Sequence, residues 1–426
     1  MISKDKWAEI IKDFHKSKFP EMIERDIVIP TKIPLKRAIS IIGPRRAGKT
    51  YEMFQLMKKL LMETKKEHLL YIDFERADLG VVEAKDLINM LETYYELYPK
   101  NKKIWMFLDE IQNVAGWEKF VRTALDENIK IYLSGSSSKM LSKEIATSMR
   151  GRNITYTMLP FSFKEYLKKR NFEYKKYFSS DEKAKIIYFL QDFMKYGGYP
   201  EAVIYPKEKE KILKEILETV IYKDVIERSR IRNVKVMKLI IGSLINSTEF
   251  SVNKFYKYLK SLGIKLGKSI LYNYIEYLND AFFVFMVRKF SYSYKHAEQS
   301  IPKPYFIDNG FLTISGIADK GRIMENLVFI ELMRREANIW NYESFTKQKV
   351  DFVIKEKKKV KELIQVSYDI QNFNTKDREI KSLLKACKEL RCNNLVVINW
   401  DYEGIEKYNN KKIIFVPLWK WLLEKR

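Results

Sequence analysis

Cysteine and histidine are almost absent from this chain of 426 residues, which has two Cys and three His. Cys387 and Cys392 stand close together, but in no zinc or redox spacing. A disulfide framework is therefore excluded, and the low thiol count suits a reducing cytoplasm. Glycine (15) and proline (11) are scarce, which argues against long disordered linkers. No run of about 20 apolar residues is free of charge, so no transmembrane helix is expected. The longest apolar run, Ala281 to Val287, is far too short. The opening Met1-Ile2-Ser3-Lys4-Asp5-Lys6-Trp7 has no signal-peptide character, so a cytoplasmic location is expected. Acidic residues are also in the minority, 55 against 79 Lys and Arg, giving a net charge of +24. That excess favours a polyanionic partner, nucleic acid before an anionic membrane surface. A lysine-rich surface can also be purely compositional.

What is present begins with Ala38-Ile39-Ser40-Ile41-Ile42-Gly43-Pro44-Arg45-Arg46-Ala47-Gly48-Lys49-Thr50. A short apolar run ends in Gly43, and Gly43 to Thr50 fits G-x-x-x-x-G-K-[ST]. Apolar residues at helical spacing follow, through Leu61. Strand, loop and helix are the context that a phosphate-binding loop requires. Its backbone N–H groups turn onto a phosphate, and the helix N-terminus adds partial positive charge. Gly43, Pro44, Arg45, Arg46, Ala47, Gly48, Lys49 and Thr50 are therefore the candidate nucleotide-binding residues. Lys49 is expected on the β- and γ-phosphates, and Thr50 on Mg²⁺.

Further strands are expected at Leu69–Phe74, Lys103–Glu110, Ile129–Leu133 and Thr155–Leu159. A helix is expected at Ala84–Tyr98, and an amphipathic lead-in helix near Lys6–Phe14. The third strand ends in Asp109-Glu110. In P-loop enzymes an Asp at this place completes the Mg²⁺ shell, and the next Glu orients the attacking water. Ser134 and Ser136, after the fourth strand, are candidate γ-phosphate sensors, or merely part of a hydroxyl-rich turn. Alternating strands and helices predict an α/β fold, a P-loop NTPase parallel sheet flanked by helices.

Residues 161–230 read as helices: Phe163–Lys169, Asp181–Tyr196 and Glu208–Arg228. They predict a helical lid. Residues 231–310 then give helices at Val236–Ser247, Val252–Leu262 and Ile270–Leu278, and strands at Ala281–Ser291 and Lys303–Ile307. That order is a winged-helix layout. Lys257, Lys260, Lys265, Lys268 and Lys295 make it basic, which suits phosphate contacts. Apart from Asn273, few side chains there suit base reading, and a winged helix used only for packing has the same layout.

The chain resembles the prokaryotic AAA+-like ATPases common in archaea. The resemblance rests on Gly43–Thr50, Phe107–Trp117, Ser134–Ser138, Met149–Arg152, Leu159–Leu167 and Gly197-Gly198-Tyr199-Pro200-Glu201. It extends to the C-terminus and implies ATP and Mg²⁺ as cofactors. It also implies that Arg150 or Arg152 acts as an arginine finger, in cis or towards a neighbouring subunit. Members carry a winged helix and a small α/β domain similar to PD-(D/E)XK nucleases. The implied division is 1–160 ATPase domain, 161–230 lid, 231–310 winged helix and 311–426 nuclease-like domain.

In that last segment Glu325 and Asp351 match the nuclease layout. Gln365 stands where the second metal-binding carboxylate belongs, and Ser367 where the lysine belongs. A neutral amide is a poor Mg²⁺ ligand, so the module reads as degenerate unless Glu362 or a nearby lysine moves into place. The expected function is an ATP-driven switch or motor acting on DNA through the winged helix and basic surface, as a homo-oligomer or with a second protein. An ATPase-gated nuclease and a DNA-independent signalling or defence scaffold are the alternatives.

Overall fold

The computed structural model describes residues 1–32, 36–136, 149–175 and 178–424. They divide into two compact units. The first is 1–159 with 280–282, and the second is 160–279 with 283–426.

The first unit is built on β1 (Ala38–Ile42), β2 (Leu69–Asp73), β3 (Trp105–Asp109), β4 (Lys130–Gly135) and β5 (Asn153–Thr157). All pair in parallel, in the order β2-β3-β4-β1-β5. Strands β1 and β3 are buried along their whole length, as their largely apolar sequences require. Ile39, Ile41, Phe107 and Tyr132 form one core with Met53, Leu56, Met57 and Leu60 of α2 (Lys49–Leu60). Phe14 joins it from the lead-in helix α1 (Lys4–Lys16). The chain leaves β1 for the far edge of the sheet and returns strand by strand, so β4 lies between β1 and β3. The C-terminal ends of these three strands carry Gly43, Gly135 and Asp109 side by side, where open α/β sheets bind ligands. Ser137 and Ser138 lie outside the described residues.

The second unit starts with helices at Phe163–Lys169, Ser180–Tyr196, Pro200–Ile204 and Lys209–Thr219. The single helix expected over Glu208–Arg228 instead changes at Val220 into a π-helical stretch reaching Glu227. Helices at Val234–Ile245, Val252–Ser261 and Lys268–Asp280 follow. The antiparallel pair β6 (Val284–Val287) and β7 (Lys303–Phe306) comes next. Both strands are shorter than expected, and a helix, Tyr294–Gln299, occupies their connection. A six-stranded mixed sheet completes the unit. It comprises β8 (Asn338–Glu343), β9 (Lys349–Glu356), β10 (Lys359–Ser367), β11 (Leu395–Asn399), β12 (Gly404–Tyr408) and β13 (Lys411–Pro417), ordered β8-β9-β10-β11-β13-β12. The helix Phe373–Leu390 buries Ile380, Leu383, Ala386 and Cys387 against Val353, Leu363 and Val397. Both cysteines are free and buried. Among the described residues no helix is long and apolar enough to cross a membrane.

The Gly197-Gly198 turn has a packing role within this unit. Its Gly198 N–H donates to the Asp308 carboxylate at 2.7 Å, and the Gly310 N–H donates to the other carboxylate oxygen at 2.8 Å. Asp308 is buried. Burial pushes its carboxyl up to about 7, against the opposing pull of the two amides. An unfolded Asp loses its proton near pH 4. Between about pH 4 and 7 the folded state therefore holds the proton more tightly than the unfolded one, and stability falls as pH rises through that window. Asp308→Asn should flatten this decline in a thermal-melt series. An identical decline in both proteins would assign it to another group.

Candidate active site

The phosphate loop leaves β1 through Gly43, where a Cβ atom would sit 2.0 Å from the Met158 carbonyl oxygen. The loop reaches α2 through Gly48 at φ 97°, a left-handed conformation that suits glycine. No side chain caps α2, so the N–H groups of its first turn have no capping partner. Arg25, from the lead-in, clamps the loop from behind. Its guanidinium donates to the carbonyls of Ala47 at 2.8 Å and Leu159 at 2.6 Å.

Lys49 is buried, and its Nζ lies 3.2 Å from the Pro44 carbonyl and 3.3 Å from a Glu110 oxygen. Three hydroxyls converge on Asp109. Thr50 Oγ1 donates to Oδ2 at 2.7 Å, Tyr71 Oη donates to the same oxygen at 3.0 Å, and Ser134 Oγ donates to Oδ1. Burial pushes the Asp109 carboxyl up, and Glu110 adds to this, while the Ser134 and Thr50 hydroxyls oppose it. Asp73 sits beside Asp109 in the β2–β3 register, and burial raises it too. Three carboxylates, Asp73, Asp109 and Glu110, lie at these strand ends with one lysine among them.

Glu110 has a left-handed backbone, φ 51° and ψ 45°, which costs a non-glycine residue about 1 kcal/mol or more. Its N–H donates to Ser134 Oγ at 2.9 Å, so one hydroxyl fixes both acids. Burial alone would raise the Glu110 carboxyl, but the Lys49 ammonium and the Gln112 amide outweigh it and hold the group low. Gln112 Nε2 donates to Glu110 and lies 3.5 Å from Ser136 Oγ. The buried Gln112 Oε1 has no hydrogen-bond partner among the described residues.

Residues 35–167 match the family model of an AAA domain. Residues 187–320 and 320–421 match two domains of unknown function (DUF8612 and DUF4143). An uncharacterized protein of Methanocaldococcus jannaschii is 41% identical, over 97% of this chain and 94% of that protein. One from Haemophilus influenzae is 27% identical, over 95% and 99%. The chain belongs to this family of AAA-domain proteins. Among solved structures, a Walker-type ATPase of Pyrococcus abyssi matches with a TM-score of 0.44 at 15% identity, covering 74% of this chain and 96% of that one. The Aeropyrum pernix ORC1 protein in complex with DNA matches with a TM-score of 0.34 at 11% identity, covering 78% and 93%.

In this AAA-domain protein the two arginines singled out from the sequence lie away from the phosphate loop of their own chain. The Arg152 carbonyl accepts from the Ala38 N–H, at the start of β1. The loop begins at the other end of β1, about 13 Å along the strand. Arg152 pairs with Asp126 at 2.7 Å, and Arg150 is exposed. Within one chain both side chains therefore start from the end of β1 opposite the loop, because the first residues of β5 pair with Ala38.

The sequence-matched nuclease positions do come together in the second unit, but around a lysine. Glu325, on the helix Lys320–Arg334, and Asp351, on β9, both accept from Lys303 Nζ, at 2.8 and 3.3 Å. Tyr305 Oη donates to Glu325. Gln365 Oε1 accepts from the Asp351 N–H at 3.2 Å, and its amide donates to Glu379. Glu362 points to the opposite face of β10 from Gln365 and accepts from Asn394 at 3.1 Å. Burial, then Glu325, pushes Asp351 up to about 7. Burial opposes the Lys303 charge, but Asp351 and Glu325 outweigh it and hold its pKa above the ordinary lysine value. Among the described residues no group of three or more His, Cys, Asp or Glu side chains is placed to hold a metal ion.

Tyr71 and Arg25 escape the sequence reading because no motif contains them, and Gln112 lies within the Phe107–Trp117 stretch, which assigns it no role. Lys303 escapes that reading because it comes from the hairpin preceding the nuclease-like segment. Removing the Lys303 charge leaves two partly buried carboxylates, 20% and 13% exposed, without their cation, so Lys303→Met should cost about 3 kcal/mol in urea unfolding, the low end for a buried pair. Adding Asp351→Asn to it should recover much of that. A cost below about 1 kcal/mol would show that the pair does not need its cation.

Proposed function

We propose that the protein is a Mg²⁺-dependent ATPase that works as a switch or motor on DNA. The observation that carries the reading is the convergence of Lys49, Thr50, Asp109 and Glu110 at adjoining strand ends. The loop and first-turn amides of α2 hold the phosphates, and Lys49 moves from Pro44 and Glu110 onto the β- and γ-phosphates. Thr50 Oγ1 and Asp109 would hold a Mg²⁺ ion, which would supply positive charge against the phosphates.

Once the lysine has moved, Glu110 is left as an acceptor for a water proton, while Ser134 keeps its backbone in place. Gln112 steadies the carboxylate, and its unpartnered Oε1 is a second acceptor for the same water. Flipping this amide would set its oxygen against the Glu110 carboxylate, which fixes the orientation. Arg150 and Arg152 reach a γ-phosphate only from a neighbouring copy, so a homo-oligomer accompanies this reading.

Within the second unit, the helices up to Thr219 act as the lid. The next three helices with β6–β7 act as a winged helix on the DNA backbone, which agrees with the net charge of +24. The C-terminal segment is a non-cleaving module of PD-(D/E)XK type, because Lys303 already occupies the two carboxylates that a metal ion would need.

Steady-state ATP turnover with and without DNA tests the proposal. Lys49→Ala should abolish turnover. Glu110→Gln should keep nucleotide binding and slow hydrolysis by about 10²-fold or more, the usual worth of a general base. Gln112→Leu should lower kcat with little change in KM, and Gln112→Glu should not rescue it. Undiminished turnover in Glu110→Gln would remove that residue from water activation.

A further inference from the structure

The helix Val252–Ser261 presents Lys254, Lys257 and Lys260 at three-residue spacing, and Lys268 opens the next helix. Lys265 stands in the turn between them. Among the described residues none of these five lysines has a carboxylate partner. Other lysines of the same unit do: Lys349 pairs with Glu249 at 2.7 Å, Lys376 with Glu406 at 2.6 Å and Lys420 with Glu403 at 2.5 Å.

The turn encloses an open depression of about 580 Å³, lined by Tyr256, Lys260, Ile264, Lys265 and Leu266, with Gly263 and Gly267 at its ends. Two ammonium groups share the Tyr256 ring, Lys260 Nζ at 5.0 Å and Lys268 Nζ at 5.3 Å from its centre. Like charges gathered over one ring repel each other, and a polyanion relieves that repulsion.

We infer that this depression is where the protein grips the sugar–phosphate backbone of nucleic acid, without reading its sequence. The inference rests on the nucleic-acid reading above and deepens it. Lysines are compact point charges suited to phosphate, and the Arg, Asn and Gln side chains that make bidentate contacts to base edges are missing from the lining. The exposed glycines let a backbone approach closely. Tyr256 lines the depression, and Tyr272, 56% exposed, lies one turn after Lys268, so rings accompany the lysines, the combination used to track a strand of any sequence. An acidic protein segment would use the charges but not the rings.

Anisotropy of a labelled oligonucleotide of mixed sequence, titrated across a salt series, tests this. The full-length protein should bind with log Kd linear in log salt. The triple variant Lys260→Gln, Lys265→Gln, Lys268→Gln should lower that slope by about 3, near 0.9 for each phosphate no longer neutralised. A charge-matched triple, Lys357→Gln, Lys358→Gln, Lys359→Gln around the β9–β10 turn, should leave the slope nearly unchanged. Thermal melts confirm that all three proteins fold.

An equal fall in both triples makes the effect one of overall charge and overturns the inference. So does an unaltered slope in the first triple, although the nucleic-acid reading then survives. Competition by polyglutamate as effective as by unlabelled DNA assigns the surface to an acidic protein and overturns it as well. No binding by the unaltered protein at low salt overturns both the inference and the reading beneath it.

Discussion

The first unit depends on one buried carboxylate. Asp109 ends the inner strand β3 in a place where its charge is costly, and it is held by hydroxyls from three different elements: Thr50 from α2, Tyr71 from β2 and Ser134 from β4. Each bond reports that a neighbouring strand or helix is in register. The same Ser134 oxygen receives the Glu110 N–H, so the strained left-handed turn after Asp109 is tied to the strand that separates it from β1. Hydrogen bonds to a charged group are stronger than neutral ones. That is why a sheet can carry a carboxylate, with a second beside it, at the ends of its most buried strands.

A different solution to buried charge appears in the second unit. Glu325 and Asp351 arrive from a helix and a strand, and Lys303 arrives from the hairpin, so the triad ties three segments together. Breaking such a set by removing one partner costs more than the set itself contributes. The lysine is thus a structural commitment: while it stays, the carboxylates are satisfied without a metal. Gln365 extends the same logic by passing its amide to Glu379 and its oxygen to the Asp351 N–H. What reads as a missing nuclease carboxylate is a hydrogen-bonded link between β9, β10 and the helix Phe373–Leu390.

Legibility in the sequence followed the range of the interactions. The phosphate loop could be read because its chemistry is local: glycines at two backbone positions, a lysine and a threonine opening a helix. The apolar runs before Gly43 and Asp109 marked buried parallel strands for the same reason. The long helix expected over Glu208–Arg228 breaks into a π-helical stretch because side-chain spacing does not distinguish the two ladders over one or two turns. Tyr71, Arg25 and Lys303 lie outside every motif, Gln112 lies inside one that assigns it no role, and no spacing rule connects the four to the groups they serve.

The sequence by itself determined which backbone could wrap a phosphate, which strands were buried and that the chain carries a large positive charge, since these follow from composition and from neighbours a few residues apart. Only the tertiary structure decided which end of the sheet each side chain occupies and what neutralises each buried acid. Strand order set Ser134 between the two strands that carry the phosphate loop and Asp109, and parallel register sent Arg152 to the far end of β1. Pairing of the hairpin delivered Lys303 to two carboxylates it does not neighbour in the chain. Those outcomes rest on long-range packing, where a charge is held by whichever partner the fold brings within reach.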